Sequence, residues 1–211
     1  MIDIFLSIGV VAAAISGALL GTRKRMDFFG IIVLGISTAL GGGILRDILI
    51  GNLPPVALRE PLHMGLSTAA AILVMFFPKR FARPASLLLF FDAVGLAVFT
   101  AVGTRIAMDQ VVTSTFIAVT VGVITGVGGG ILRDLFAQEI PLVFRKEIYA
   151  TASIIGALGL VYSRPYFGSG SMAPLYICFG VTLLVRLLTL YFGINSGHPA
   201  EANEPAASES M

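Results

Sequence analysis

Charge is what this chain has least of. Only 12% of its 211 residues are Asp, Glu, Lys or Arg, where a soluble globular domain carries about a quarter. Hydrophobic residues supply 56% of the chain, and the mean hydropathy is +0.94. That balance excludes a water-soluble domain and defines an integral membrane protein. The net charge of +2 is small and the basic residues fall in short loops, so a nucleic-acid surface is excluded too. Cysteine is scarcer still. The single Cys178 allows neither an intrachain disulfide nor a CxxC site. His63 and His198 are the only histidines, and they stand too far apart for a zinc site. With no Ser-His-Asp constellation either, no enzyme, cofactor or metal is expected.

What is present is long apolar runs. Seven are visible, at residues 2–20, 28–50, 62–77, 85–103, 113–136, 148–162 and 173–192. A helix needs about 20 apolar residues to cross the hydrocarbon, so the third and sixth runs are short and either extend into flanking loop residues or cross where the bilayer is thinned. The first run is followed, not preceded, by Arg23, Lys24 and Arg25, an order opposite to that of a cleavable signal. With the N-terminus outside, the inward loops carry those three residues, then Lys79, Arg80 and Arg83, then Arg145 and Lys146; the outward loops carry only Arg59, Arg105 and Arg164. The positive-inside rule therefore predicts an N-out, C-in membrane protein. Residues 194–211, rich in Ala, Ser, Glu and Pro, read as a disordered cytoplasmic tail.

The heptapeptide Gly-Gly-Gly-Ile-Leu-Arg-Asp occurs at 41–47 and again at 128–134, 87 positions later. The repetition is wider than the motif. Residues 28–77 align with 115–163, setting Pro54 against Pro141, Arg59 against Lys146 and Glu60 against Glu147. Gly9 and Gly17 match Gly95 and Gly103 at an offset of 86. Each unit holds three spans, an odd number, so the second enters the membrane from the other side. The expected architecture is an all-α membrane protein of seven transmembrane helices: a first three-helix repeat (1–83), a second, inverted one (84–164) and a seventh helix (165–193).

Three glycines in a row weaken a helix, each by about 1 kcal/mol relative to Ala. Freed backbone groups in lipid must face protein or a water-filled cavity. The triplets Gly41, Gly42, Gly43 and Gly128, Gly129, Gly130 therefore predict two broken helices lining a solute pathway, with Ser37, Thr38 and Thr125 adding hydroxyls. The alternative is that these small residues serve close helix packing and the hydroxyls bond their own backbone. Arg46, Asp47, Arg133 and Asp134 follow one turn later. Adjacent helix residues point apart, so each Arg is expected to pair elsewhere, for instance with the Asp of the other repeat, as a structural lock or a gate. Lys146 and Glu147 border the second re-entry loop as further gate or ion-pair candidates. Asp92, the lone acid of its span, could attract a cation; Arg186 reads as snorkelling to the cytoplasmic face, and His63 as a satisfied helix-end residue.

The paired glycine motifs, the segment Pro-Leu-Val-Phe-Arg-Lys-Glu-Ile-Tyr-Ala-Thr at 141–151 and the seven-span layout resemble the prokaryotic TRIC-type (trimeric intracellular cation) channels, within a broad bacterial family that also includes proteins described as glycine transporters. The resemblance runs from about residue 4 to 192. It implies a homotrimer in membrane lipid with a separate pore in each protomer, kinked helices at the triplets, and conduction of monovalent cations such as K+ and Na+, potassium in particular. The animal channels carry Lys-Glu-Val after the second motif, where this chain has Lys146-Glu147-Ile148; the first repeat departs further, with Arg59-Glu60-Pro61. Their phosphoinositide ligand does not carry over to a bacterial membrane. A passive channel needs a hydrated path with weak multiple sites, whereas a glycine carrier needs a closed pocket with amides and carbonyls for a zwitterion. Two broken helices would serve either.

Overall fold

A computed structural model describes residues 2–76, 85–110, 114–145 and 147–192. Lys79, Arg80, Arg83, Lys146 and residues 194–211, all named above, lie outside the described residues, as does the side chain of Glu147. The described residues form helices only: α1 (Ile2–Arg23), α2 (Phe28–Leu49), α3 (Val56–Arg59), α4 (Pro61–Phe76), α5 (Ala85–Gln110), α6 (Thr115–Phe136), α7 (Leu142–Arg145), α8 (Glu147–Phe167) and α9 (Ala173–Phe192). Five of them, namely α1, α2, α5, α6 and α9, are long and apolar enough to cross a membrane alone. The described part of α4 is 16 residues, about 24 Å at 1.5 Å each. The sixth run does extend into flanking residues: α8 reaches Phe167, five positions past the end of the run, and makes 21 residues with a kink at Ile148 near its start.

Local chemistry explains the ends. Asp27 caps α2, its Oδ1 accepting the Gly30 amide at 2.7 Å, which satisfies a donor the first turn cannot. α3 follows Pro55 and α7 follows Pro141. Pro55, rather than Pro54, thus stands where Pro141 does, and Arg59 corresponds to Arg145; the first connection is one residue longer.

α1 and α5 are the most deeply buried of the long helices and pack against each other. α2 and α4 pack on α1, α6 and α8 pack on α5, and α2 meets α6 along their length. α9 lies against α8 and α5, outside both groups. Small residues set these distances: a Cβ on Gly9 would run into the Val98 side chain at 2.5 Å. Large apolar side chains including Phe29, Phe76, Phe116 and Tyr191 point outward, as expected of a surface solvated by lipid tails.

Candidate functional site

The glycine triplets do not break their helices. α2 and α6 are each continuous through them, which corrects the expectation of two breaks. The reason is packing between the helices. A Cβ on Gly42 would overlap the Thr125 carbonyl oxygen, and one on Gly129 would overlap that of Thr38. Only glycine lets the two backbones touch there, and the contact repays the helix propensity that glycine forfeits. Gly41 and Gly128 receive the side chains of Leu132 and Leu45 from the facing helix. Gly43 faces only the Arg46 guanidinium, while Gly130 faces the Tyr149 hydroxyl and Asp92. The Thr38 and Thr125 hydroxyls donate to their own helices, to Leu34 O and Val121 O, both at 2.6 Å. They are packing residues in this conformation. Ser37 is half-buried beside them.

Beyond each end of the crossing lies a buried arginine. Neither arginine reaches the other's aspartate. Arg46 Nε donates to Asp47 Oδ1 at 2.9 Å, and Arg133 Nε to Asp134 Oδ1 at 2.8 Å. The expectation that each Arg pairs elsewhere fails for Arg46 and holds for Arg133 only beside the bond to its neighbour: a guanidinium on three methylenes can fold back onto the next residue although the two Cα–Cβ vectors diverge. Each carboxylate keeps its second oxygen for the next connection. Asp47 Oδ2 accepts the Val56 amide at 2.8 Å, and Asp134 Oδ2 the Leu142 amide at 2.9 Å. The motif thus ties a long helix to the first turn of the short helix after it.

Past that common core the two clusters differ. Arg133, fully buried, also donates from Nη1 to Asp92 Oδ1 and to Ser16 Oγ, both at 2.6 Å. Tyr149 O–H donates to the same Asp92 oxygen at 3.2 Å. Asp92 is therefore not a lone acid awaiting a cation but a paired group in an interhelical network. Arg186 does not snorkel. It is 1% exposed and its guanidinium lies 4.6 Å from the Tyr149 ring centroid, the geometry of a cation–π contact. The network is not saturated, since Asp92 Oδ2, Arg133 Nη2, and Arg186 Nε and Nη2 are buried with no protein partner among the described residues. Sequence reasoning missed Ser16 and Tyr149. Their signals were slight: one hydroxyl in an otherwise apolar stretch, and one tyrosine inside the segment 141–151.

Arg46 donates to Asp47 alone among the described residues. Beside it is a cavity of about 40 Å³ lined by Leu6, Val10, Gly43 and His63 among others. His63 is 5% exposed and its Nε2 has no partner among the described residues, so it is not the satisfied helix-end residue expected. On the Arg133 side a wider recess of about 260 Å³ reaches Arg23, Glu139 and Arg145. There Lys24 pairs with Glu139, and the ammonium holds that carboxyl below its usual range. A depressed folded-state pKa means that the pair stabilises the fold above the ordinary carboxylate value and that this is lost as pH falls through the lowered one. Lys24→Ala is expected to return the Glu139 titration to the ordinary range, read from its carboxyl carbon resonance; an unmoved midpoint would discount the pair. Among the described residues no group of three His, Cys, Asp or Glu gathers to hold a metal.

Fold and site together define a multi-pass helical membrane protein whose two helix groups meet at a glycine crossing. The chain belongs to the glycine transporter family, whose description matches it twice, over residues 3–79 and 89–165. It is similar to the UPF0126 inner membrane protein YadS of Escherichia coli K12, at 41% identity over 87% of this chain and 88% of that one. A UPF0126 membrane protein of Deinococcus radiodurans is 43% identical over 86% of this chain and 82% of its own. Among solved structures, one that accounts for conductance through TRIC cation channels superposes with a TM-score of 0.84 at 35% identity, covering 98% of both chains. The TRIC orthologue from Rhodobacter sphaeroides superposes at 0.83 and 34% identity, covering 92% of this chain and 98% of that one. The chain is thus a TRIC-type member of its family, and these relatives are membrane proteins.

Proposed function

We propose that the chain conducts monovalent cations, K+ foremost and Na+ with it, through a pathway inside each protomer beside the α2–α6 crossing. The observation that carries this reading is the superposition on TRIC cation channels along almost the whole chain. In this reading the helices are seven and the two glycine-bearing groups are inverted three-helix repeats, supported by family matches that recur at an offset of 86. The protein is a homotrimer of the inner membrane with its N-terminus outside, its outward aromatic and aliphatic side chains meeting lipid and the other protomers. The glycines of the crossing, with Ser37, Thr38 and Thr125 beside them, border the narrow middle of the path. The Arg46–Asp47 and Arg133–Asp134–Asp92–Tyr149 clusters close its two ends as gates. Lys146 and Glu147, flanking the second connection, belong to the inner mouth.

A gate needs two arrangements of similar free energy. The Arg133 network suits that role because it spans five helices and leaves buried donors and acceptors that water could satisfy once the helices part. Replacing Asp92 with Leu, the residue at the corresponding place in α1, removes the acceptor of both Arg133 Nη1 and the Tyr149 hydroxyl; the bond to Arg133 alone is worth about 1.5–3 kcal/mol. Open probability in Asp92→Leu is expected to rise about ten- to a hundredfold in single-channel records, since each 1.4 kcal/mol is tenfold. An unchanged open probability in a folded trimer would make the network a structural lock.

The second reading is a carrier for glycine, favoured by the description of the family. Purified protein in liposomes separates the two. Unitary currents reversing at the potassium potential, without counterflow of labelled glycine, support the channel. Saturable counterflow with no unitary current supports the carrier.

A further inference from the structure

The two arginine clusters share their core but not their surroundings. Arg133 Nη1 meets the Asp92 carboxylate, contributed by α5. The corresponding residue of α1, 86 positions earlier, is Leu6, and the residue corresponding to Ser16 on the other side is Val102. Arg46 is therefore offered apolar groups where Arg133 is offered two oxygens. The cavity lies at that place, between Leu6 and Arg46. Tyr149, which donates to the Asp92 carboxylate, is matched 86 positions earlier by His63, and His63 lines the same cavity with its Nε2 unpartnered. Arg46 and His63 thus line one small space, each about 5% exposed.

We infer that this cavity binds a small monovalent anion, held by Arg46 and His63 in the position that Asp92 occupies against Arg133. Two donors and apolar walls favour an anion over a cation, because a cation here would face the guanidinium with no free carboxylate. Asp47 does not compete, since one of its oxygens is taken by Arg46 and the other by the Val56 amide. A volume of about 40 Å³ is several times the 10–15 Å³ that a single water requires; it fits a halide or a carboxylate head and excludes a bulky acid. Chloride and the carboxylate of acetate or of free glycine are the sources of that chemistry. The inference stands whether the pathway passes cations or an amino acid.

The test uses the full-length protein in detergent, with chloride, acetate or glycine titrated against gluconate at constant ionic strength. Binding is read by calorimetry and by thermal unfolding in far-ultraviolet circular dichroism. Saturable binding of at least one of the three is expected; chloride alone points to a halide, acetate and glycine together to a carboxylate. Leu6→Asp places a carboxylate where the anion would sit, and is expected to weaken binding at least about tenfold while keeping the elution volume of the native oligomer. His63→Leu removes one donor without adding charge, should weaken binding too, and stands in if Leu6→Asp does not fold. No saturable binding of any of the three, or binding by the folded variants equal to that of the wild type, would overturn the site.

Discussion

Gly42→Ala and Gly129→Ala should each lower stability by about 3 kcal/mol, the upper end of the usual cost of an added methyl in a packed interior. The estimate sits at that end because the obstacle is a backbone carbonyl, of Thr125 or of Thr38, which cannot rotate aside as a side chain can. Either methyl must push α2 and α6 apart along a shared face. Gly43→Ala is the internal control. Its Cβ would meet nothing nearer than Arg46 Nη2 at 3.9 Å, and Ala is better than Gly in a helix by about 1 kcal/mol, so this variant should be neutral or more stable. Reversible unfolding in mixed micelles measures all three. Equal losses for Gly42→Ala and Gly43→Ala would show that helix flexibility, and not the crossing, is what the triplet supplies.

The second large effect is expected at Arg133. Arg133→Met leaves Asp92 and Asp134, both buried, facing each other without a cation. Removing one partner of a buried ion pair costs about 3–5 kcal/mol, and little of that loss should respond to salt because the site is shielded from counterions. Arg46→Met should cost less, since Asp47 is the only carboxylate it deserts and the Val56 amide still holds it. The double variant Arg133→Met with Asp92→Leu should recover part of the loss, and that coupling is the share of the network belonging to the pair. Additive losses in the double variant would place the two residues in separate roles.

The contrast between the two arginines shows what could be read beforehand. Arg46 and Arg133 stand in identical heptapeptides, and their shared behaviour, a bond to the following Asp and through it to the next short helix, belongs to the motif. Their differences do not. Whether an Arg meets Asp92 or Leu6, Tyr149 or His63, depends on residues 16 to 41 positions away on other helices. Arg186 makes the same point. An arginine six residues from a helix end reads as snorkelling; it is buried because Tyr149 of α8 offers its ring face, which the sequence around position 186 does not disclose.

Membrane residence and the recurrence of the glycine–arginine–aspartate motif were determined by the sequence alone, because hydrophobicity, residue order and repetition are properties of a segment and need no partner. The start of α4 and the spans of the long first helices followed from the same local signals. Tertiary structure alone decided that the triplets form a contact instead of a break, and which charges meet. A glycine permits both a bend and a close approach, and the choice falls to whatever backbone lies opposite. Here it is the carbonyls of Thr38 and Thr125, brought within reach by the packing of α1 against α5 and of α2 against α6.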